Sequence, residues 1–227
     1  MPPYPPSYNA EGRVTQVCEA EDHVRESRTV LGLISENGVV LLCQREKPHS
    51  LNHVTPIGSN MIAAGTGFPG DILYLLNKCE VLVDKYRLNF EQDMPVDEFV
   101  QELADLISLN TILKTMRPYY ASIIVAGWDT RGYHLYRVEP NGRITSWTAV
   151  AVGRLAPAVN EEFGMDLPKM RNLSLKTARK IGVDTYQKRV SQDLSSLEMV
   201  WLKSVDNKIE VVYTPPEEIQ SIAQSRM

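Results

Sequence analysis

The 227-residue sequence predicts a layered α+β sandwich, with two sheets inside and helices segregated outside. Three observations carry that reading. Residues 30–34 and 39–43 are two apolar, strand-forming runs around a turn signal at Ser35 to Gly38, so they read as a hairpin. Both runs are apolar on both faces instead of alternating, the pattern of strands covered on two sides. Around them the chain comes in blocks: strands, two helices, strands, two helices and a closing hairpin.

Composition sets bounds on this reading. With 43% hydrophobic and 23% charged residues the chain is ordinary globular material, and one domain over residues 13–227 is expected. Cys18, Cys43 and Cys79 are odd in number and form no C-x-x-C pair, which argues against a disulfide framework or zinc knuckle and fits a reducing compartment. The start has neither a basic nor an apolar leader pattern, and no run of about eighteen apolar residues occurs, so a soluble intracellular protein is expected. A net charge of −4 gives no global attraction to nucleic acid or acidic membranes.

The elements follow in order. Four prolines among the first six residues make residues 1–12 an extended tail, which includes Tyr4 and Tyr8. Val14, Val17, Cys18 and Val24 then fall near helical spacing. A helix this short is marginal alone, so its stripe needs a surface, either its own domain or another subunit. After the hairpin, in which Asn37-Gly38 is expected to supply positive backbone angles, comes a polar stretch over 45–53 and a strand at 60–64.

The segment from Gly65 to Gly70 matches G-x-G-x-x-G, the spacing of a dinucleotide loop. That mechanism needs a parallel strand ending in an acid about twenty positions on. Glu91, at that distance, falls at the end of a helix instead, one carrying Ile72, Leu75, Leu76, Cys79, Leu82, Val83, Tyr86 and Phe90 as its stripe. The glycines then serve a tight strand-to-helix turn, with Asp71 favourable at the helix start.

A second helix carries Val96, Phe99, Val100, Leu103 and Ile107, opened by an aspartate cap and an early proline. Strands are expected at 121–126, 133–138 and 143–152, with Pro140-Asn-Gly142 as a turn. Helices follow at 156–163 and 173–190. The second region is rich in Lys and Arg but has little aromatic interleaving, so it reads as a solvated or partner-facing face and not a nucleic-acid patch. Strands at 198–205 and 208–213, turning at Asp206-Asn207, lead to a last helix that Thr214-Pro-Pro-Glu217 opens with capping-box spacing.

Local phrases within this order resemble the α-type subunits of the 20S proteasome, members of the N-terminal-nucleophile hydrolase fold. Residues 9–20 are similar to the family's S-P-[DE]-G-R-[LF]-x-Q-V-E-Y-A, residues 117–122 to R-P-[FY]-G-V-S, Trp128-Asp129 to the end of A-G-x-D, and residues 148–153 to K-A-x-A-I-G. Ala10 stands where the family has proline, Cys18-Glu19 where it has Glu-Tyr, and an upstream Tyr-Asp-Arg is missing. The resemblance implies a four-layer αββα sandwich with an N-terminal helix. It further implies a non-catalytic subunit of a seven-membered α ring, active in ubiquitin-dependent protein degradation in cytoplasm and nucleus. Its partners would be neighbouring α-type subunits, the catalytic β-type ring and regulatory or activator particles, with no cofactor, nucleic acid or membrane. The helix with Val14, Val17 and Val24 would be an inter-subunit element, and Tyr4 and Tyr8 would belong to the gating tail.

A threonine protease of this fold needs Thr as the first residue of the mature chain, where the free amine serves as base. Placing Gly32 on the first-strand glycine puts Arg28 at the nucleophile position, with Thr29 one residue out and therefore on the opposite face. Gln44 and His53 occupy the Asp and Lys positions, so no catalytic residue is expected. His49 and His53 meet no metal-ligand spacing, and no metal is expected. The resemblance places His53 where the family has a pocket lysine that pairs with the terminal carboxylate of an activator tail. An unperturbed histidine is only about a quarter charged at pH 7, so weak tail binding is expected. A threonine hydrolase beginning at Thr29 and a nucleotide-binding enzyme using Gly65 to Gly70 remain as alternatives.

Overall fold

The structure is a computed structural model that describes residues 7–45, 53–113, 116–170, 172–206 and 208–225, with backbone only for 165–170. Two five-stranded antiparallel sheets form its centre. The first runs β10 (Lys208–Tyr213), β9 (Leu197–Val205), β2 (Gly38–Gln44), β1 (Val30–Ser35), β8 (Ala149–Val152). The second runs β3 (Val54–Ile57), β4 (Met61–Gly67), β5 (Ala121–Asp129), β6 (Gly132–Val138), β7 (Ile144–Ser146). Helices α2 (Pro69–Phe90) and α3 (Val96–Ile112) cover the second sheet. The first is covered by α4 (Ala156–Met170), α5 (Leu175–Arg189) and α6 (Pro216–Gln224). This is the four-layer αββα order, with α1 (Thr15–Glu26) added ahead of it.

The doubly apolar hairpin has a direct structural meaning. Because side chains alternate along a strand, Val30, Val39, Leu41 and Cys43 enter the space between the sheets, against Ile62, Ile124 and Leu135. Leu31, Leu33, Val40 and Leu42 point the other way, against Phe163, Val183 and Tyr186. Burying each such side chain contributes roughly 1.5–3 kcal/mol, so both faces of β1 and β2 are committed to packing.

Several elements differ from the sequence reading. At the hairpin tip neither Asn37 nor Gly38 takes a positive φ. Asn37 Oδ1 instead accepts a hydrogen bond from Leu175 N at 2.8 Å, and a Cβ on Gly38 would lie 2.9 Å from the Leu202 carbonyl. The glycine permits close approach, not a left-handed turn. β3 went unread because Pro56 breaks the strand pattern, and it is tolerated there because β3 is an edge strand. Residues 143–152 are two strands in different sheets: Trp147 N still bonds Leu135 O, while the Thr148 carbonyl accepts from Ile34 N. The predicted caps are also replaced. The start of α3 is met by Asp129, whose Oδ2 accepts from Val96 N at 3.3 Å. At α6 the cap is Pro215 without a side-chain bond, and Thr214 is buried with no partner for its hydroxyl among the described residues. Finally, α4 extends beyond 163 to Met170. Among the described residues, no helix is long and apolar enough to cross a membrane.

Candidate functional site

The residues that the resemblance sets at the catalytic positions, Arg28, Gln44 and His53, lie near one another at the ends of β1, β2 and β3. The end of α1 and the start of β1 deliver Arg28 and Thr29, the end of β2 delivers Gln44, and the approach to β3 delivers His53. Arg28 Nη1 lies 2.7 Å from His53 Nδ1 and 2.8 Å from its Nε2. The Arg28 carbonyl accepts from Thr66 Oγ1, which ties the site to the second sheet. Thr29 is 1% exposed, and its hydroxyl oxygen accepts from Leu155 N at 3.2 Å. Beside them a cavity of about 330 Å³ is lined by Glu26, Arg28, Gln44, Arg45 and Arg154 among others.

Glu198 of β9 organises the far side. It is 2% exposed and accepts from Arg45 Nε at 3.2 Å, His53 N at 2.9 Å and Val54 N at 3.3 Å. A buried carboxylate is tolerable only when paired and hydrogen-bonded in this way. Sequence reasoning missed it, since Arg45 and Glu198 are 153 positions apart and a glutamate at a strand start carries no local signal.

Chemically the arrangement lacks the parts of a threonine protease. Arg28 bears no nucleophilic hydroxyl, its backbone nitrogen is an amide continuous with α1, the adjacent Thr29 is buried with its hydroxyl accepting from a backbone N–H, and the Thr66 hydroxyl is engaged by the Arg28 carbonyl. The glycine loop is likewise not a nucleotide cradle. β4 runs antiparallel to both neighbours, and a Cβ on Gly67 (φ +127°) would come within 2.0 Å of the Tyr120 carbonyl. The α2 start already holds an anion of its own, Asp71, which accepts from Arg117 Nη1 and Nη2 at 2.7 Å each and from Tyr120 N at 2.8 Å. Among the described residues no His, Cys, Asp and Glu group could hold a metal ion, and His49 lies outside them.

The remaining predicted residues divide. Val24 and Val17, 2% and 9% exposed, pack onto this chain's own sheets, while Val14 is half-buried at the helix start. Tyr8 is exposed and bridges to Val14; Tyr4 lies outside the described residues. Several motifs turn out to be architectural. Arg117 clamps Asp71, Asp129 holds α3 together with Arg131 and His134, and Arg13 reaches Glu21.

Fold and site together define a hydrolase-type αββα sandwich whose catalytic positions are occupied by other chemistry. A family model described as proteasome subunit matches residues 24–202, and the chain belongs to that family, as a divergent α-type member. It is 29% identical over 167 residues to a proteasome subunit alpha type-4-like protein of Drosophila melanogaster, covering 70% of this chain and 66% of the relative. To the probable proteasome subunit alpha type-3 of Schizosaccharomyces pombe it is 30% identical over 154 residues, or 64% and 62% of the two chains. With the Drosophila melanogaster proteasome subunit alpha type-4 it shares 25% identity over 214 residues, or 88% and 81%. The matched region thus spans just under two thirds of the first two relatives.

Proposed function

We propose that the chain is a non-catalytic subunit of the α ring of a proteasome core particle, contributing to ring assembly, axial gating and regulator docking in ubiquitin-dependent protein degradation. One observation carries this. At the nucleophile position stands Arg28, joined without interruption to a helix packed on the chain's own sheets, where the catalytic members of the fold require a free terminal threonine. The partners are neighbouring α-type subunits, the catalytic β-type ring and regulatory particles, and the compartment is cytoplasm and nucleus. An apolar outer surface on α2 and α3, including Leu88, Phe90 and Ile112, supports assembly, since a lone soluble domain seldom exposes so many large apolar side chains on one layer. Any inter-subunit contact by α1 falls to its outward face, because Val17 and Val24 are already buried.

The tail pocket is placed at His53, against which the Arg28 guanidinium sits. Tail peptides ending in a carboxylate bind the assembled ring weakly at neutral pH, and His53→Lys strengthens them. A native mass spectrum of the particle recovered through a tag on this chain tests the main reading. Incorporation beside other proteasome subunits is expected; recovery of the chain only as a monomer would overturn it.

A further inference from the structure

A second concavity, of about 410 Å³, opens between α1, the turn joining β6 to β7 and the first turn of α4. Four arginines line it, Arg13, Arg25, Arg137 and Arg143, against two glutamates, Glu21 and Glu139. Each glutamate is shared. Glu21 Oε2 accepts from Arg13 at 2.5 Å and lies 3.8 Å from Arg25, while Glu139 meets Arg137 at 2.8 Å and Arg143 at 3.9 Å. Arg25 also reaches Asp22, outside the lining, at 2.7 Å, and guanidinium groups still outnumber carboxylates. Arg137 is the least exposed of the four, and among the described residues its Nε has no hydrogen-bond partner. Burial holds its guanidinium below the usual arginine range despite Glu139 and Glu21 nearby.

We propose that this cavity receives a carboxylate side chain presented by a neighbouring protein subunit. Guanidinium forks match carboxylates bidentately, and here they are in excess. Glu21 and Glu139 lie among them, so an extended polyanion would bring successive phosphates against fixed negative charge. The net charge of −4 adds no long-range attraction for nucleic acid. Residues 1–6 contain no Asp or Glu, so they do not supply the group. Naming a subunit as the carrier rests on the ring reading; the preference for a carboxylate does not.

The test titrates the full-length chain with acetyl-Gly-Glu-Glu-Gly-amide, its glutamine counterpart and inorganic phosphate. Arg25→Ala and Arg143→Ala are the variants, because these side chains are 66% and 70% exposed and can be removed without disturbing β6. The glutamate peptide binds, the glutamine peptide binds about tenfold more weakly, and each variant weakens the glutamate peptide by roughly threefold to tenfold. Equal binding of the two peptides, unchanged affinity in both variants, or displacement of the peptide by equimolar phosphate would each overturn the proposal. In the particle, the double variant Arg25→Glu, Arg143→Glu loses incorporation while its melting temperature as a lone chain holds; undiminished incorporation overturns the subunit as carrier. Should the wild-type chain itself fail to enter a particle, the ring reading falls, and the peptide titration still decides the carboxylate site.

Discussion

On the layer formed by α2 and α3, Leu73, Val81, Leu88, Phe90 and Ile112 stand exposed, with Leu88 at 82%. On the opposite layer several charged side chains pair with one another: Glu162 takes Lys188 and Arg189, Asp184 takes Lys180, and Glu218 takes Arg179. Both layers bury their inner faces in the same way, with Phe99 on α3 and Phe163 on α4 each almost wholly enclosed. Packing on the sheets therefore explains the inner faces of both. It leaves large apolar side chains on the outer face of one layer without a cover inside the chain, while the other pairs several of its charges.

The largest effect is expected where the layers agree. Phe99→Ala and Phe163→Ala should each cost about 3–5 kcal/mol in urea unfolding of the lone chain, and a cost under about 1 kcal/mol for either would break the symmetry of the inner faces. The outer faces should then separate them. Leu88→Asp with Ile112→Asp should leave lone-chain stability within about 0.5 kcal/mol yet abolish incorporation into the particle, whereas Lys176→Gln on α5 should leave both intact. Full incorporation of the double aspartate variant would mean that the exposed apolar face has no assembly role.

Acid sharpens the comparison further, since the start of α3 is held by Asp129. Burial pushes that carboxyl up, but donors from Arg131 and His134 outweigh it and hold it at about 2, below an unfolded value of about 3.9. The carboxylate thus stabilises the fold fully above about pH 4, and its contribution is lost as pH falls through about 2. In amide exchange under acid, protection at the start of α3 should fall before that of α5, and Asp129→Asn should remove the pH dependence; simultaneous loss in both helices would contradict it. The smallest effect belongs to Glu162→Gln, which should lower the melting temperature slightly at low salt and not at high salt, because Lys188 is largely exposed and screened.

How much of this was legible in sequence depended on the range of the interaction concerned. The hairpin of β1 and β2 and the stripe of α3 could be read because each is written in residues a few positions apart, as apolar runs around a turn and as helical spacing, whereas the absence of a threonine at position 28 was legible only through the resemblance to the family. β3 was hidden by Pro56, whose tolerance depends on an edge that only the sheet order reveals. The split at Trp147-Thr148 was hidden because both halves have strand composition, and nothing local says that they pair with different sheets.

By itself, then, the sequence determined the α+β class, since periodicity is a local property, and its local phrases carried the resemblance that implied the family and the lack of a nucleophile at position 28. Only the tertiary structure decided that Val17 and Val24 belong to the chain's own core, that Arg28 lies against His53, and that Glu198 ties Arg45 to the start of β3. Those outcomes depend on which surfaces meet when two sheets close over one another. Contacts between residues 25 to 153 positions apart leave no periodic trace in the chain that makes them.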